Sequence, residues 1–240
     1  MTRNRRNDSD GTNRTTSHGR AANQIVFLTG AGVSVPSGIP DYRSKNGLYA
    51  GKHNPEYLLS EACLANEPDV FYQFVTENMY YPDAKPNPIH LKIAEIGEEK
   101  NVTVVTQNID GLHEAAGSKS VVDFHGSLYH CYCTKCGQTV PTETYLKSDS
   151  HQNCGGRVRP DVVLYGEGIA ADAIQNAIQA LQTADLVIIA GTSFKVSPFC
   201  NLIDYRNPKA SVFAVNKENI FLPFPHTMIK ADALQVFKKL

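Results

Sequence analysis

Five short runs of mainly β-branched residues recur along this chain, and each ends on glycines or on a polar cluster. Residues 25–29 lead into Gly30-Ala31-Gly32, and residues 102–105 into Thr106-Gln107-Asn108-Ile109-Asp110-Gly111. Val121-Val122 leads into Phe124-His125-Gly126, residues 185–190 into Gly191-Thr192-Ser193, and residues 212–215 into Asn216-Lys217-Glu218. Runs this apolar suit strands buried on both faces, as in parallel sheets. Helix-like stretches lie between them: 55–64, 68–79, 88–99 with Ile89, Ile93 and Ile96 at helical spacing, 171–183 and 232–239. Strands alternating with helices predict an α/β fold with a doubly wound parallel sheet. Ligands of such sheets bind beyond the carboxyl ends of the strands. The polar strand ends are therefore expected to meet in one cleft.

Composition narrows the rest. The 240 residues carry 23 Lys+Arg against 24 Asp+Glu, so no global electrostatic pull toward nucleic acid or membrane is expected. No apolar run approaches the roughly 20 residues of a membrane span. The first residues are polar and lack a signal-peptide core, so the expectation is a cytoplasmic protein with a disordered or poorly packed tail over 1–24. Residues 129–159 change character, becoming polar and cysteine-bearing. Within them, Cys133-x-x-Cys136 is followed by His151-x-x-Cys154. Two such pairs can supply the four tetrahedral ligands of a closed, structural zinc site, with Cys131 a competing thiol and a metal-free ribbon the alternative. Cys63 and Cys200 read as small core hydrophobes.

Each strand end also has a plainer reading. Gly30-Ala31-Gly32 suits close approach of a pyrophosphate, or a tight turn. Thr192 and Ser193 suit a phosphate or ribose, or a helix cap. Asn216 suits a ribose, or a turn. His125, beside the polar cluster at 107–110, has the chemistry of a general base. Asp110 suits the same site, or the cap of a helix starting at Gly111.

Taken in order, residues 30–43, Gln107-Asn108-Ile109-Asp110, Phe124-His125-Gly126, residues 159–167 and Gly191-Thr192-Ser193 resemble the sirtuin family, and bacterial sirtuins in particular, from about residue 25 to the C-terminus. The resemblance implies an NAD-dependent protein-lysine deacetylase. Its large part, 25–128 and 160–240, would be a Rossmann-like NAD-binding domain. A small zinc-ribbon-containing insert, 129–159, would join a helical segment at about 45–85. Gly30, Ala31, Gly32, Tyr42 and Arg43 would lie in the cofactor loop, with Tyr42 where the family usually has Phe. Gln107, Asn108, Ile109 and Asp110 would line the nicotinamide and ribose pocket, and Gly191, Thr192, Ser193, Asn216 and Asp232 would hold the adenosine half. Zinc, held by Cys133, Cys136, His151 and Cys154, would be structural.

The acetylated protein or peptide would be sandwiched as an added strand between 162–167 (Val162, Val163, Leu164, Tyr165, Gly166) and 194–198, including Val196. NAD would be consumed: the acetyl oxygen attacks C1′ as nicotinamide leaves, and His125 then deprotonates a ribose hydroxyl. Asn108 and Asp110 would position ribose, amide and water, and the products would be lysine, nicotinamide and O-acetyl-ADP-ribose. Three departures from the family pattern stand out. The fourth metal ligand is His151. The residues before 25 do not show the pattern of the amphipathic helix that usually precedes the first strand in this family. The Tyr-x-x-Arg pair of succinyl-preferring sirtuins is replaced by Tyr72-Gln73-Phe74-Val75, which implies a preference for neutral acyl groups. A mono-ADP-ribosyltransferase and a non-catalytic NAD or ADP-ribose sensor are the rival readings.

Overall fold

The structure, a computed structural model, describes residues 22–41 and 55–240. Three strands, β1 (Gln24–Thr29), β2 (Asn101–Thr106) and β3 (Val121–Asp123), lead into an excursion of β4 (Gly126–Cys133), β5 (Thr139–Val140) and β6 (Val158–Val162). The chain then returns through β7 (Leu186–Ala190), β8 (Ser211–Asn216) and β9 (Thr227–Lys230). The six outer members form one parallel sheet in the order β3-β2-β1-β7-β8-β9, and the excursion forms a separate antiparallel sheet, β5-β4-β6. The small sheet thus pairs Gly126 with Val162 and reaches beyond 129–159 on both sides.

Helices α1 (Pro55–Leu58), α2 (Glu61–Asn66), α3 (Pro68–Asn78) and α4 (Pro88–Glu99) precede β2, and α5 (Leu112–Ala115) follows it. A short α6 (Thr142–Tyr145) lies in the excursion, α7 (Ala171–Thr183) precedes β7, and α8 (Ala233–Phe237) closes the chain.

The period-two alternation of a strand explains why the large sheet is covered on both faces. Val26 and Leu28 of β1 pack with Val187 and Ile189 beneath α7 and the 3-10 segment Phe199–Tyr205. Ile25 and Phe27 face the other way, with Leu186 and Ile188, beneath α4 and α8. A third core, with Cys63, Phe71, Val75, Leu128 and Tyr145, joins α2 and α3 to the small sheet.

Several expectations shift for local reasons. The stretch 55–64 is two helices, because Ser60 turns extended and caps α2 by accepting from Cys63 N (3.1 Å). The glycine loop after β1 feeds two 3-10 turns, Ala31–Val33 and Val35–Ser37, rather than an α-helix; Pro36 has no N–H to continue one. Strand β9 was not foreseen, since it carries little apolar pattern beyond Met228 and Ile229. Cys63 is fully buried, whereas Cys200 is only half-buried. Of the expected tail, residues 1–21 lie outside the described residues, while Ala22 is already buried. Asp185 anchors this start of the sheet by accepting from the backbone N–H of Asn23 and Gln24, both at 3.0 Å. Those two N–H groups hold its carboxyl below the usual range.

The order of the sheet reverses direction between β1 and β7, the switch point at which open α/β sheets bind ligands. There Gly32 N donates to Gly191 O at 2.8 Å. Gly191 has φ 61°, and a Cβ on it would lie 2.5 Å from Val33 N. We expect Gly191→Ala to cost about 3 kcal/mol or more of folding stability. A denaturant midpoint within error of the wild type would contradict this packing.

Candidate active site

Three strand ends are bridged across this junction. Thr192 Oγ1, after β7, donates to Gln107 Oε1, after β2, at 2.8 Å. A Cβ on Gly30, after β1, would collide with both side chains, at 2.8 and 2.9 Å. The Thr192 hydroxyl also accepts from Phe194 N (3.0 Å), which fixes the left-handed backbone of Phe194 (φ 53°). The glycines and Thr192 therefore have a structural use at the place where a dinucleotide phosphate would lie. The Thr192 hydroxyl proton is committed to Gln107.

Beneath the glycine loop lies a buried polar cluster centred on Ser34. Its hydroxyl donates to Asp110 Oδ2 (2.6 Å) and accepts from Asn108 Nδ2 (3.0 Å). With its one proton spent, it receives the Nε2–H of His90 at 3.4 Å. His90 Nδ1 in turn accepts from Asn87 N (3.3 Å), closing a capping box at the start of α4. Asn87 Nδ2 donates to Val33 O at 2.8 Å, tying that helix to the glycine loop. Asp110 Oδ1 accepts from Leu112 N (3.0 Å), so Asp110 does cap α5. Burial raises its pKa, and the bonds from Ser34 and Leu112 oppose the rise. His113 of α5 packs edge-on to His90, ring centroids 4.8 Å apart, with Nε2 3.0 Å from Thr29 Oγ1. Ala31, Ser34, Asn108, Ile109 and Asp110 line a small cleft here. A larger cavity of about 420 Å³ lies at the opposite ends of β1 and β2 and contains none of the expected site residues.

His125 follows β3, and its Nδ1 lies 3.1 Å from Gln107 O. A carbonyl oxygen only accepts, so Nδ1 carries the proton and Nε2 keeps its lone pair. Burial, against Phe124 and Phe199, lowers its pKa, partly offset by the bond to Gln107. A neutral imidazole whose Nε2 has no hydrogen-bond partner among the described residues is thus tied to the residue that precedes Asn108. Gly126, at φ 76°, lets β4 leave directly behind it; a Cβ there would lie 1.9 Å from Asp161 O.

The expected peptide edge is held to the main chain of the same residue: Val163 N donates to the His125 carbonyl oxygen at 2.9 Å. Tyr165 is tied by its N–H to Leu59 O (2.9 Å) and by its C=O to Glu61 N (3.0 Å). The main chain of Gly166 has no partner among the described residues. Val162 and Leu164 are buried, and Val196 O accepts from Cys200 N (2.9 Å).

The remaining expected residues lie farther along the sheet or outside the described region. Asn216 ends β8 and donates to Glu218 O (3.2 Å). Asp232 caps α8 through Leu234 N (2.8 Å) and pairs with Lys217 Nζ (2.9 Å), so its carboxylate is already engaged. Ser193 is exposed next to Thr192. Tyr42 and Arg43 lie outside the described residues. Sequence reasoning gave no role to His90, His113 or Arg159. For His90 the signal was available: with Ile93 and Ala94 at i+3 and i+4, it falls on the inward face of α4.

The metal-ligand set is brought together as expected. One ligand atom each from Cys133, Cys136, His151 and Cys154 lies within 4.8 Å of all the others. Cys133 Sγ to Cys154 Sγ is 3.5 Å, and His151 Nδ1 is 3.4 Å from Cys136 Sγ and 3.2 Å from Cys154 Sγ. A zinc tetrahedron with about 2.3 Å to sulfur and about 2.0 Å to nitrogen places its ligands at about this spacing. Desolvation opposes ionisation of Cys133, but N–H donors from Cys136 and Lys135 bring its thiol down to about 6, toward the thiolate a metal needs. A Cβ on Gly156 would meet Cys133 Sγ at 2.6 Å, so the glycine leaves room for the sulfurs. Cys131 is excluded as a ligand: it is buried among Leu128 O, Thr142 Oγ1 and Tyr80, which packs beside it.

The protein is expected to purify with one zinc per chain by elemental analysis. Cys136→Ala should lose the metal and lower the thermal midpoint, while His151→Cys should retain zinc. Wild-type protein stripped of zinc with an unchanged midpoint would contradict a structural metal.

The buried histidines set a second test. Burial pushes His90 down to about 4 and His113 to about 3, the latter with His90 as an added cause. As pH falls below about 6.5 the unfolded chain takes up protons that the native state refuses, so each histidine then destabilises the fold. Asp123, pushed up to about 7 by burial and by Glu114, acts in the opposite sense. The signature is therefore a difference between proteins. Between pH 6.5 and 5 we expect His113→Gln to gain on the wild type by up to about 1.4 kcal/mol per pH unit in denaturant unfolding. Parallel curves for the two proteins would contradict a neutral, buried His113.

Comparison with known proteins agrees with this geometry. A sequence model of the Sir2 family matches residues 30–198. An NAD-dependent protein deacetylase of Listeria monocytogenes serotype 4b is 68% identical over 221 residues, covering 92% of this chain and 96% of the relative. One from Lactiplantibacillus plantarum is 58% identical over 90% of this chain and 93% of its own length. Among solved structures, a Sir2 homologue in complex with ADP ribose superposes with TM-score 0.87 at 31% identity, over 94% of this chain and 93% of that one. A Sir2 variant with deacetylated p53 peptide and 3'-O-acetyl ADP ribose superposes with TM-score 0.85 at 30% identity, over 95% and 96%. With its switch-point glycine loop and its three-cysteine, one-histidine cluster, this chain belongs to the Sir2 family.

Proposed function

We propose that this protein removes acetyl groups from protein lysine side chains in the cytoplasm, consuming NAD and releasing nicotinamide and O-acetyl-ADP-ribose. One observation carries the chemistry: His125 is fixed with its proton on Nδ1 toward Gln107 O, which leaves Nε2 as an acceptor. NAD, when bound, supplies a ribose carbon from which nicotinamide departs as the acetyl oxygen arrives. His125 Nε2 would take a proton from a ribose hydroxyl, whose oxygen would bond to the acetyl carbon as that carbon's bond to the lysine nitrogen breaks; the amine would leave protonated, and one water would be consumed to complete O-acetyl-ADP-ribose. Asn108 and Asp110, locked through Ser34, orient the ribose and the carboxamide. The wall of Gln107 and Ile109 shields the site, and the turns at Gly30, Ala31, Gly32 and Gly191 offer main-chain N–H groups to the pyrophosphate.

Tyr42, Arg43, Thr192, Ser193, Asn216 and Asp232 complete the proposed cofactor set. Residues 25–128 and 160–240 form the NAD-binding part, and the zinc-bearing 129–159 segment with the helices near 45–85 forms the smaller one. Zinc is assigned a structural role, because four protein ligands leave no open coordination position.

The acyl pocket is expected to accept neutral groups. Tyr72 OH donates to Tyr145 O (3.0 Å) and Val75 is fully buried, so these positions offer no cation to a succinyl carboxylate.

The test is incubation with NAD and an acetyl-lysine peptide, following nicotinamide release and peptide mass together. Deacetylation coupled one-to-one to nicotinamide is expected, with His125→Ala and Asn108→Ala each reduced by about two orders of magnitude or more. Modification of the enzyme itself by NAD alone would indicate ADP-ribosyl transfer, and no turnover would indicate a sensor.

The base must be neutral and its pKa is lowered, so single-turnover deacetylation should fall as pH drops through a midpoint below 6.5 and stay level above it. Asp123 titrates at about 7 close by, so the acid limb must persist in Asp123→Asn. A rate without an acid limb, or a limb abolished by that substitution, would contradict the assignment to His125.

A further inference from the structure

We propose that Arg159 and Glu167 are positioning residues for the substrate peptide. Their ion pair folds residues 163–166 into the edge against which the peptide aligns, an inference that rests on the reading of this segment as the peptide-binding strand. Arg159 is 5% exposed, and a guanidinium so far from water is tolerated only when its donors are met. Here they are. Nη1 and Nη2 form a bidentate pair with Glu167, the second bond at 3.1 Å. Nη2 also donates to Val162 O, and Nε to Pro160 O at 3.2 Å.

Glu167 completes the bracket. Its Oε2 accepts from Leu164 N (2.9 Å), and its own N–H donates to Leu164 O (3.0 Å). One partner therefore holds the carbonyl that enters the segment, and the other holds both main-chain groups of Leu164 inside it. Between those fixed points Val163 N reaches His125 O (2.9 Å), and Gly166 adopts φ 100°. Tyr165 is secured by Leu59 and Glu61. The result is a segment fixed at Val163, Leu164 and Tyr165, bonded to the backbone of His125, with the main chain of Gly166 unpartnered among the described residues.

An apolar pair of the same volume strands no buried charge, which is the larger loss when one partner of a buried ion pair is removed. It would not supply an acceptor to Leu164 N or a donor to Val162 O. Fold stability and peptide recognition are therefore separable, and that separation is the test.

Steady-state kinetics with peptide and NAD varied independently should be compared for wild type, Glu167→Gln, Arg159→Lys and the double variant Arg159→Met with Glu167→Leu. All three variants are expected to raise the peptide KM by about tenfold or more, while kcat and the NAD KM change by less than about twofold. The neutral double variant should recover the thermal midpoint lost by Glu167→Gln without recovering peptide KM. Recovery of KM together with the midpoint, an unchanged peptide KM in all three, or an equal loss on the NAD side would overturn the proposal. Peptides N-methylated at the amides flanking the acetyl-lysine test the underlying reading on the wild type. Weakened binding supports strand pairing, so normal kinetics in the clamp variants would then overturn the clamp alone. Unweakened binding would overturn both.

Discussion

The molecule depends on two glycine turns that touch at the reversal of its sheet. Gly32 and Gly191 meet through a 2.8 Å backbone hydrogen bond, with no space for a side chain on either. That contact brings the ends of β1 and β7 together, and the bond from Thr192 to Gln107 adds the end of β2. Register then does the rest. Thr106 pairs with Asp123, so the end of β3 arrives level with the end of β2, and His125 can reach Gln107 O. The imidazole of His125 is therefore placed by backbone geometry, through a main-chain acceptor that no side-chain substitution removes.

Around this frame the protein buries polar groups that are satisfied by one another. Ser34 links Asp110, Asn108 and His90, and Asn87 links the same helix to the glycine loop. Such networks are costly when partly satisfied and specific when complete. Here the cluster joins β1, β2, α4 and α5 directly beneath the cleft. It requires His90 and His113 to stay uncharged, so the stability of the fold and the readiness of the site respond to acid together. The small sheet contributes differently. It carries the metal-ligand set at its far end, and its β4 and β6 strands deliver Val163 to His125 at its near end.

Much of this was legible in the residues. The apolar runs identified five of the six parallel strands, and the polar strand ends located the cleft, because both signals come from burial and local geometry. The cysteine and histidine spacing located the metal set for the same reason: the ligands lie in two short local pairs. What was hidden was long-range. Strand β9 has too little apolar pattern to stand out, and pairing with β8 makes it a strand. That the glycines at 32 and 191 serve each other, and that Thr192 gives its proton to Gln107, depends on residues far apart in sequence. His113 and Arg159 looked like ordinary polar residues, and only the fold shows them to be buried. The tie between Tyr165 and residues 59–61 was equally unreadable, since it joins residues about a hundred positions apart.

The central claim is that His125 is held neutral with its proton on Nδ1 and its lone pair on Nε2. Long-range proton–nitrogen NMR of protein labelled with ¹⁵N-histidine, assigned with His125→Ala and titrated from pH 8 to pH 5, reads both properties at once. The account predicts the Nδ1–H tautomer at pH 7.5 and a protonation midpoint below 6.5. A dominant Nε2–H tautomer, or an imidazolium still populated at pH 7.5, would contradict it.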